Sequence, residues 1–245
     1  MRKAISVAVA LILLLSGLGI LLYPQLLDWR YRSQVAVQKS SFLTAVALSS
    51  SSASNQGCAG SDYEQLYQYL LSENRRLAET GQSDLCDALS YQQPSVDLRD
   101  YGLEDDCIGF ISLPSIDVEL PIYLGANQDN MAKGAVHLTN TSYPIGGTDS
   151  NCVIAAHRGA TLPMFRDIHK LAIGDEVLIT NFREQLVYRV VQTRIISPTD
   201  VDSIKIQPGR DLVTLSSCNP LGANYQRYLV YCERVSTSTG DNHHE

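Results

Sequence analysis

The sequence predicts a mainly β domain, closed or sandwich-like, behind a helical N-terminal region that opens with a membrane-spanning segment. Three observations predict it. From Cys107 onward, short runs rich in Val, Ile and Leu alternate with clusters of Gly, Pro, Asn and Asp, the pattern of many short strands joined by turns. Before them, Tyr63, Leu66, Tyr67, Leu70 and Leu71 recur at helical spacing. At the N-terminus, Ala4 to Leu22 is a run of nineteen residues without a charge, close to the ~20 that cross a bilayer as a helix.

The N-terminal run follows Met1-Arg2-Lys3. It is longer than the apolar core of a usual signal peptide, and no small-x-small cleavage site follows it, so it reads as an uncleaved anchor. A cleaved secretory signal is the alternative, and either reading exports the protein. Arg2 and Lys3 favour an inside N-terminus, although Arg30 and Arg32 weaken the asymmetry. The bulk of the chain is then expected outside the cell.

Trp29 to Leu48 is compatible with a continuing helix, and the serine-rich stretch Ser49 to Ser54 reads as a loop or linker. Ser61-Asp62-Tyr63-Glu64 has the form of a capping box, which satisfies orphan helix N–H groups. The helix it opens is expected to end near Glu79, with Gly81 as the stop. Strands are expected near 107–113, 117–123, 151–156, 176–182, 186–196, 211–216 and 227–234, and a short helix at 162–171. No internal repeat is visible. The chain therefore divides into an anchor (1–28), a helical extension with a linker and a loop (29–106), a β-domain (107–235) and a polar tail (236–245).

The 245 residues carry a net charge of −7, which argues against nucleic acid as the main partner because phosphate binding needs a basic face. No GxGxxG, Walker loop, CxxC or HExxH occurs, so no nucleotide, cofactor or metal site is signalled. Six cysteines in an exported chain raise the question of disulfides. Cys107, Cys152 and Cys232 lie in apolar strand-like contexts and read as buried thiols. Cys58 with Cys86 is the one pair considered for a bridge.

Three residues carry the chemistry. Cys218 ends the β-like run that starts at Asp211, and Asn219-Pro220-Leu221-Gly222 follows it at once. The sulfur is therefore expected at a rim, where a thiolate can act as a nucleophile. A buried structural cysteine is the competing reading. His157 closes another apolar run and is stopped by Arg158-Gly159. Its imidazole can carry a proton to a leaving amine, although most single histidines are structural. His137, in a loop-like stretch, and His169, on the expected short helix, lack a comparable setting. Arg227 lies nine positions after Cys218. Its fixed charge and rigid donor fork suit a substrate carbonyl or an oxyanion, or else a surface ion pair. Sequence alone does not bring the three together.

The segment Val213 to Val230 (VTLSSCNPLGANYQRYLV) resembles the sortase signature T-L-x-T-C followed by an arginine-bearing last strand. Gly134 to Gly159 resembles the stretch leading to the sortase histidine. Its pieces Thr141 to Gly147 (TSYPIGG) and His157-Arg158-Gly159 are similar to the pilus-assembling class C, and Ile108 to Gly125 (IGFISLPSIDVELPIYLG) is similar to that family's first two strands. The resemblance covers about residues 61–235. It implies an eight-stranded sortase-type β-barrel with short helices, a helical N-terminal extension and a transmembrane helix. It also implies that Cys218 is the nucleophile, His157 the general acid/base and Arg227 the oxyanion or substrate-positioning residue. The implied partners are LPXTG-type surface or pilin proteins and an amine acceptor, either a pilin lysine or a cell-wall precursor, with the membrane held through the N-terminal helix and no cofactor or metal required.

Three departures from the family pattern stand out. Ser217 occupies the place of the usual Thr, keeping the hydroxyl. The class C lid carries an Asp-Pro-aromatic motif, whereas the matching positions here are Asp87-Ala88-Leu89. Asp87 can still pair with a basic group such as Arg227, but Leu89 offers no aromatic face and the turn lacks the fixed φ of Pro. A looser lid is expected, with an ordinary surface loop over 82–106 as the rival. Finally, Ser236 to Glu245 is polar, so no second anchor is expected there.

Overall fold

The computed structural model describes residues 2–53, 62–83, 85, 93–94, 96–103, 105–159, 162 and 164–235. Eight strands run through the domain: β1 (Cys107–Leu113), β2 (Val118–Leu124), β3 (Ala135–His137), β4 (Ser150–Ala155), β5 (Glu176–Asn181), β6 (Gln185–Ile196), β7 (Asp211–Asn219) and β8 (Gln226–Arg234). They close into a barrel in the order β1-β2-β3-β4-β7-β8-β6-β5. Closure gives every strand a neighbour on each side for part of its length, which accounts for so many short strands in one domain.

The twofold alternation of side chains divides the core. In β4, Cys152 and Ile154 join an interior cluster with Val213 and Leu215 of β7 and Val230 and Cys232 of β8. Their neighbours Val153, Ala155, Leu229 and Tyr231 join an outer cluster with Phe110 and Val136. Burial pushes the Cys107 thiol up to about 12, and it raises the Cys152 and Cys232 thiols further. These three are the inert, buried thiols expected from their contexts.

Helix α1 (Arg2–Ala53) is one unbroken helix, with Pro24 inside it. It passes the expected boundary at 28/29 without interruption. Of Ser49 to Ser54, expected as a loop or linker, residues 49–53 belong to its last turns. Serine is tolerated there because the Ser49 hydroxyl donates back to the Ala45 carbonyl at 3.1 Å. Helix α2 (Asp62–Thr80) buries Tyr63, Leu66, Leu70 and Leu77, while Tyr67 and Leu71 pack partly buried against the same core. Asn74 is buried on that face because it clamps Tyr143, accepting from its N–H at 2.7 Å and donating to its carbonyl at 3.4 Å. Gly81 follows with φ +77°, the left-handed stop that glycine provides.

Two further expectations need correction. Within the expected helix at 162–171, residues 164–167 form turns and Ile168–Lys170, carrying His169, forms a short 3-10 segment. The apolar residues Met164, Phe165 and Ile168 serve as core anchors and not as one face of a helix. The stretch around His137, expected as a loop, contains β3, which is preceded by the short helix α3 (Gln128–Lys133). β3 pairs in parallel with β2 and antiparallel with β4. At its entrance a Cβ on Gly134 would lie 2.8 Å from the Pro121 carbonyl, so glycine permits the close approach.

His137 is fully buried and stacks on Tyr143 with ring centroids 5.0 Å apart. Its Nε2 faces the carbonyls of Ser142 at 3.1 Å and Thr141 at 3.3 Å, so Nε2 carries the proton of a neutral ring. Burial lowers the imidazole from 6.5 to about 4, against the smaller opposing pull of those two carbonyls. The unfolded chain therefore takes up a proton between those values that the folded chain refuses. The contribution is whole above pH ~6.5 and is lost as pH falls toward 4, an effect of about 3 kcal/mol. Denaturant titrations at several pH values should show a steeper acid loss for the native chain than for His137→Gln, which keeps an N–H donor without the titration. Parallel pH profiles would remove His137 as the cause.

Candidate active site

Strand pairing assembles the site. β4 runs parallel to β7, with Ala155 beside Ser216, and the Ala156 N–H continues the ladder to the Ser216 carbonyl at 3.2 Å. His157 and Cys218 each lie two residues beyond that Ala155–Ser216 pair, so both emerge at the same end of the barrel. β8 returns antiparallel to β7 and sets Arg227 directly opposite Cys218. Directly opposed residues of an antiparallel pair share one face, with Cβ atoms about 5 Å apart. Three adjacent strands thus deliver the three residues singled out in the sequence to one rim.

Their surroundings differ. His157 is exposed and Cys218 half-buried, and both line a cavity of about 660 Å³ with Ala132, Arg158, Leu162, Met164, Gly222 and Asn224. The His157 carbonyl accepts the Phe165 N–H at 3.0 Å, which pins the backbone behind the imidazole. Arg227 is buried at 5% exposure, unlike the surface ion pair that competed for it in the sequence. Its Nη1 donates to the carbonyls of Asn224 at 2.6 Å and Gln226 at 3.1 Å, folding the β7–β8 loop around the charge. Cys218 is a reduced thiol.

Ser217 has a definite task. Its hydroxyl donates to the Ala156 carbonyl at 2.9 Å in a buried setting. It therefore ties the residue before the thiol to the residue before the imidazole. The methyl group absent relative to the family's usual threonine takes no part in that bond.

Sequence reading passed over Arg158, treating it only as the end of a strand. His157 and Arg158 follow the end of β4, and the arginine turns inward while the histidine beside it is exposed. Arg158 is buried at 8% exposure. Its Nη1 donates to the Cys218 carbonyl at 3.3 Å and to Asn219 Oδ1 at 3.0 Å, its Nε donates to the Arg166 carbonyl at 3.2 Å, and the guanidinium lies 5.5 Å from the Tyr228 ring centroid. None of these contacts is a carboxylate. A cation so placed favours an anion on the neighbouring thiol.

His137 lies in β3, its ring held by backbone carbonyls, and His169 is exposed on its 3-10 segment. Neither lines this cavity. Cys58, Cys86, Asp87 and Leu89, with the expected tail at 236–245, lie outside the described residues. Among the described residues no group of three or more His, Cys, Asp or Glu is placed to hold a metal ion.

The family model of the sortase domain matches residues 111–235, slightly more than half of the chain. The chain belongs to the sortase family. It is 29% identical over 131 residues to sortase D of Bacillus subtilis, covering 52% of this chain and 64% of that protein. It is therefore matched over a little under two thirds of that relative's length. Among solved structures it resembles Streptococcus agalactiae sortase C1, at 27% identity and TM-score 0.67 over 79% of this chain and 96% of that one. It also resembles sortase C-1 of Actinomyces oris, at 34% identity and TM-score 0.56 over 69% and 99%. Sortases are cysteine transpeptidases, and a thiol, an imidazole and a guanidinium at one rim are a suitable set for acyl transfer.

Two outcomes are expected. Ser217→Ala lowers stability by about 1–2 kcal/mol, because the buried Ala156 carbonyl loses its donor, whereas Ser217→Thr stays near the native value; urea midpoints measure both. Arg158→Ala slows alkylation of Cys218 by iodoacetamide near pH 7, because a cation beside the site favours the reactive thiolate. An unchanged alkylation rate in a folded Arg158→Ala protein would remove Arg158 from the electrostatics of the thiol.

Proposed function

We propose that this chain is a membrane-anchored transpeptidase of the class C sortase type, acting on the outer side of the cell membrane. The observation that carries the reading is the single rim on which Cys218 and His157 share a cavity while Arg227 stands opposite Cys218. In this mechanism the Cys218 thiolate attacks the threonine carbonyl of an LPXTG-type sorting signal. Arg227 steadies the tetrahedral oxyanion. His157, as imidazolium, protonates the departing glycine amine as the Thr–Gly bond breaks, leaving a threonyl thioester on Cys218. An amine gives up a proton to His157 and attacks the thioester, which forms the new amide and releases Cys218 as the thiolate.

The acceptor in this reading is a pilin lysine. Support comes from the structural likeness to sortases of the C type, one of them titled sortase C1 of a group B Streptococcus pilus island, at 25% identity and TM-score 0.66. A cell-wall precursor amine is the alternative acceptor. Helix α1 supports the anchor, because it is long and apolar enough to cross a membrane and its apolar residues Leu11 to Leu15 are more than half exposed. Arg2 and Lys3 favour an inside N-terminus. A looser lid carrying Asp87 and Leu89, with an ordinary surface loop over 82–106 as its rival, remains part of the proposal.

Intact-mass measurement of the full chain in detergent, after incubation with an LPXTG peptide, tests the chemistry. The expected result is a mass gain equal to the peptide up to its threonine, absent in Cys218→Ala. Its absence from the native chain, with no cleaved peptide, would overturn the reading. Adding a pilin domain or short amines then identifies which acceptor removes the adduct.

A further inference from the structure

Helix α1 docks along the barrel in a definite direction. The Tyr31 hydroxyl donates to the Lys133 carbonyl at 2.9 Å, and Arg32 pairs with Asp117 at the start of β2. Further along, Lys39 pairs with Glu119, Gln38 Nε2 donates to the Tyr123 hydroxyl at 2.9 Å, and Phe42 meets Phe110 edge-on at 5.5 Å. Phe110 is opposite Pro121 in the β1–β2 ladder. From Arg32 to Phe42 the helix rises about 15 Å, while β2 advances about 13 Å from Asp117 to Pro121. The helix therefore runs beside β2 and in the same direction.

Strand pairing identifies the end of the barrel from which α1 departs. β2 is parallel to β3, β3 is antiparallel to β4, and β4 is parallel to β7. The start of β2 is therefore at the end where β4 and β7 finish, which is the Cys218 end. Ala132, adjacent to the Lys133 that holds Tyr31, lines the Cys218 cavity. The apolar part of α1 lies beyond this end. The chain stays uncharged from Ala4 through Leu27, and Leu27 to Tyr31 is only about 6 Å of helix rise. A headgroup layer is roughly 5–7 Å thick on each side. Trp29 lies in that interval, 66% exposed, where an interfacial aromatic is expected.

A second observation points the same way. Outside α1, the large exposed hydrophobic residues among those described are Ile173, Ile195, Leu221 and Tyr225, at 51–76% exposure. Leu221 and Tyr225 are in the β7–β8 loop beside Cys218. Ile195 pairs with Tyr228, next to Arg227. Ile173 precedes β5, whose start adjoins the end of β1 and hence the start of β2. All four are at the end from which α1 departs.

We propose that the barrel stands on the bilayer with its Cys218 end toward the lipid, Leu221 and Tyr225 reaching the headgroup layer, so that the cavity opens onto membrane-bound peptides and amines. This rests on the reading of α1 as a membrane anchor. A kink at Pro24 changes the tilt of the barrel and not the end that faces the lipid.

The test uses the full chain in vesicles of phosphatidylcholine and phosphatidylglycerol containing a lipid with a headgroup nitroxide. Trp29 is the single tryptophan, so Trp29→Phe gives a dark background. Into it go Tyr225→Trp or, at the opposite end of the barrel, Gln185→Trp. The expected result is loss of more than half the emission for the Tyr225→Trp reporter and little loss for Gln185→Trp. Equal quenching of the two, or quenching of Gln185→Trp alone, overturns the orientation. Flotation of the same samples separates the two readings. Protein that floats with unquenched Tyr225→Trp emission overturns the orientation alone, and protein that fails to float overturns the anchor and the orientation together.

Discussion

The parallel pairing of β4 with β7 is the constraint on which the site depends. The histidine and the cysteine are sixty-one positions apart in the chain, and this ladder brings their strands to a common finish. Every rung from Ser150–Asp211 to Ala155–Ser216 is in register, so neither strand can slip without moving one residue away from the other. The antiparallel return of β8 then places Arg227 by the same logic. Ser217 adds a bond across the ladder where its backbone pairing gives out. Placement of the chemical groups is thus a property of the sheet, and the loops are left to shape the cavity.

The ladder is held firmly at its far end as well. Asp211 opens β7, and its carboxylate accepts from the Tyr188 hydroxyl at 3.0 Å and from the Gly147 N–H at 2.9 Å. Burial pushes that carboxyl above its usual range, partly offset by these donors. Asn151 bonds Thr214 across the same two strands at 2.8 Å and holds the carbonyls of Ile204 and Lys205. Buried polar groups that are satisfied in this way fix a register more sharply than apolar packing alone.

Much of this was legible in the residues themselves. Cys107–Leu113 reads as a strand because its apolar run is bounded by turn signals, and the sequence TLSSC announces the rim by ending in Asn-Pro-Leu-Gly. What escaped shares a physical cause. β3 is three residues long and contains a histidine, too short for a period to register, and its identity depends on partners distant in the chain. The serines ending α1 carry a low helical preference that the preceding turns override. Met164, Phe165 and Ile168 are spaced like a helix face but answer to the barrel core. Arg158 was hidden because its importance lies in contacts to Cys218 and Asn219, far along the chain, which exist only once β4 and β7 are paired.

Closure of the barrel has a consequence for how a peptide can be read. Many proteins capture an extended peptide by letting it extend a sheet, so that main-chain hydrogen bonds supply affinity whatever the sequence. In this barrel β7, the strand that carries Cys218, is paired with β4 on one side and β8 on the other, so the body of that strand offers no such vacancy. At Cys218 itself the surroundings are the side chains and loop backbone that line the cavity. A ligand of this cavity is therefore sorted by the shape and chemistry of those few residues more than by main-chain pairing along β7.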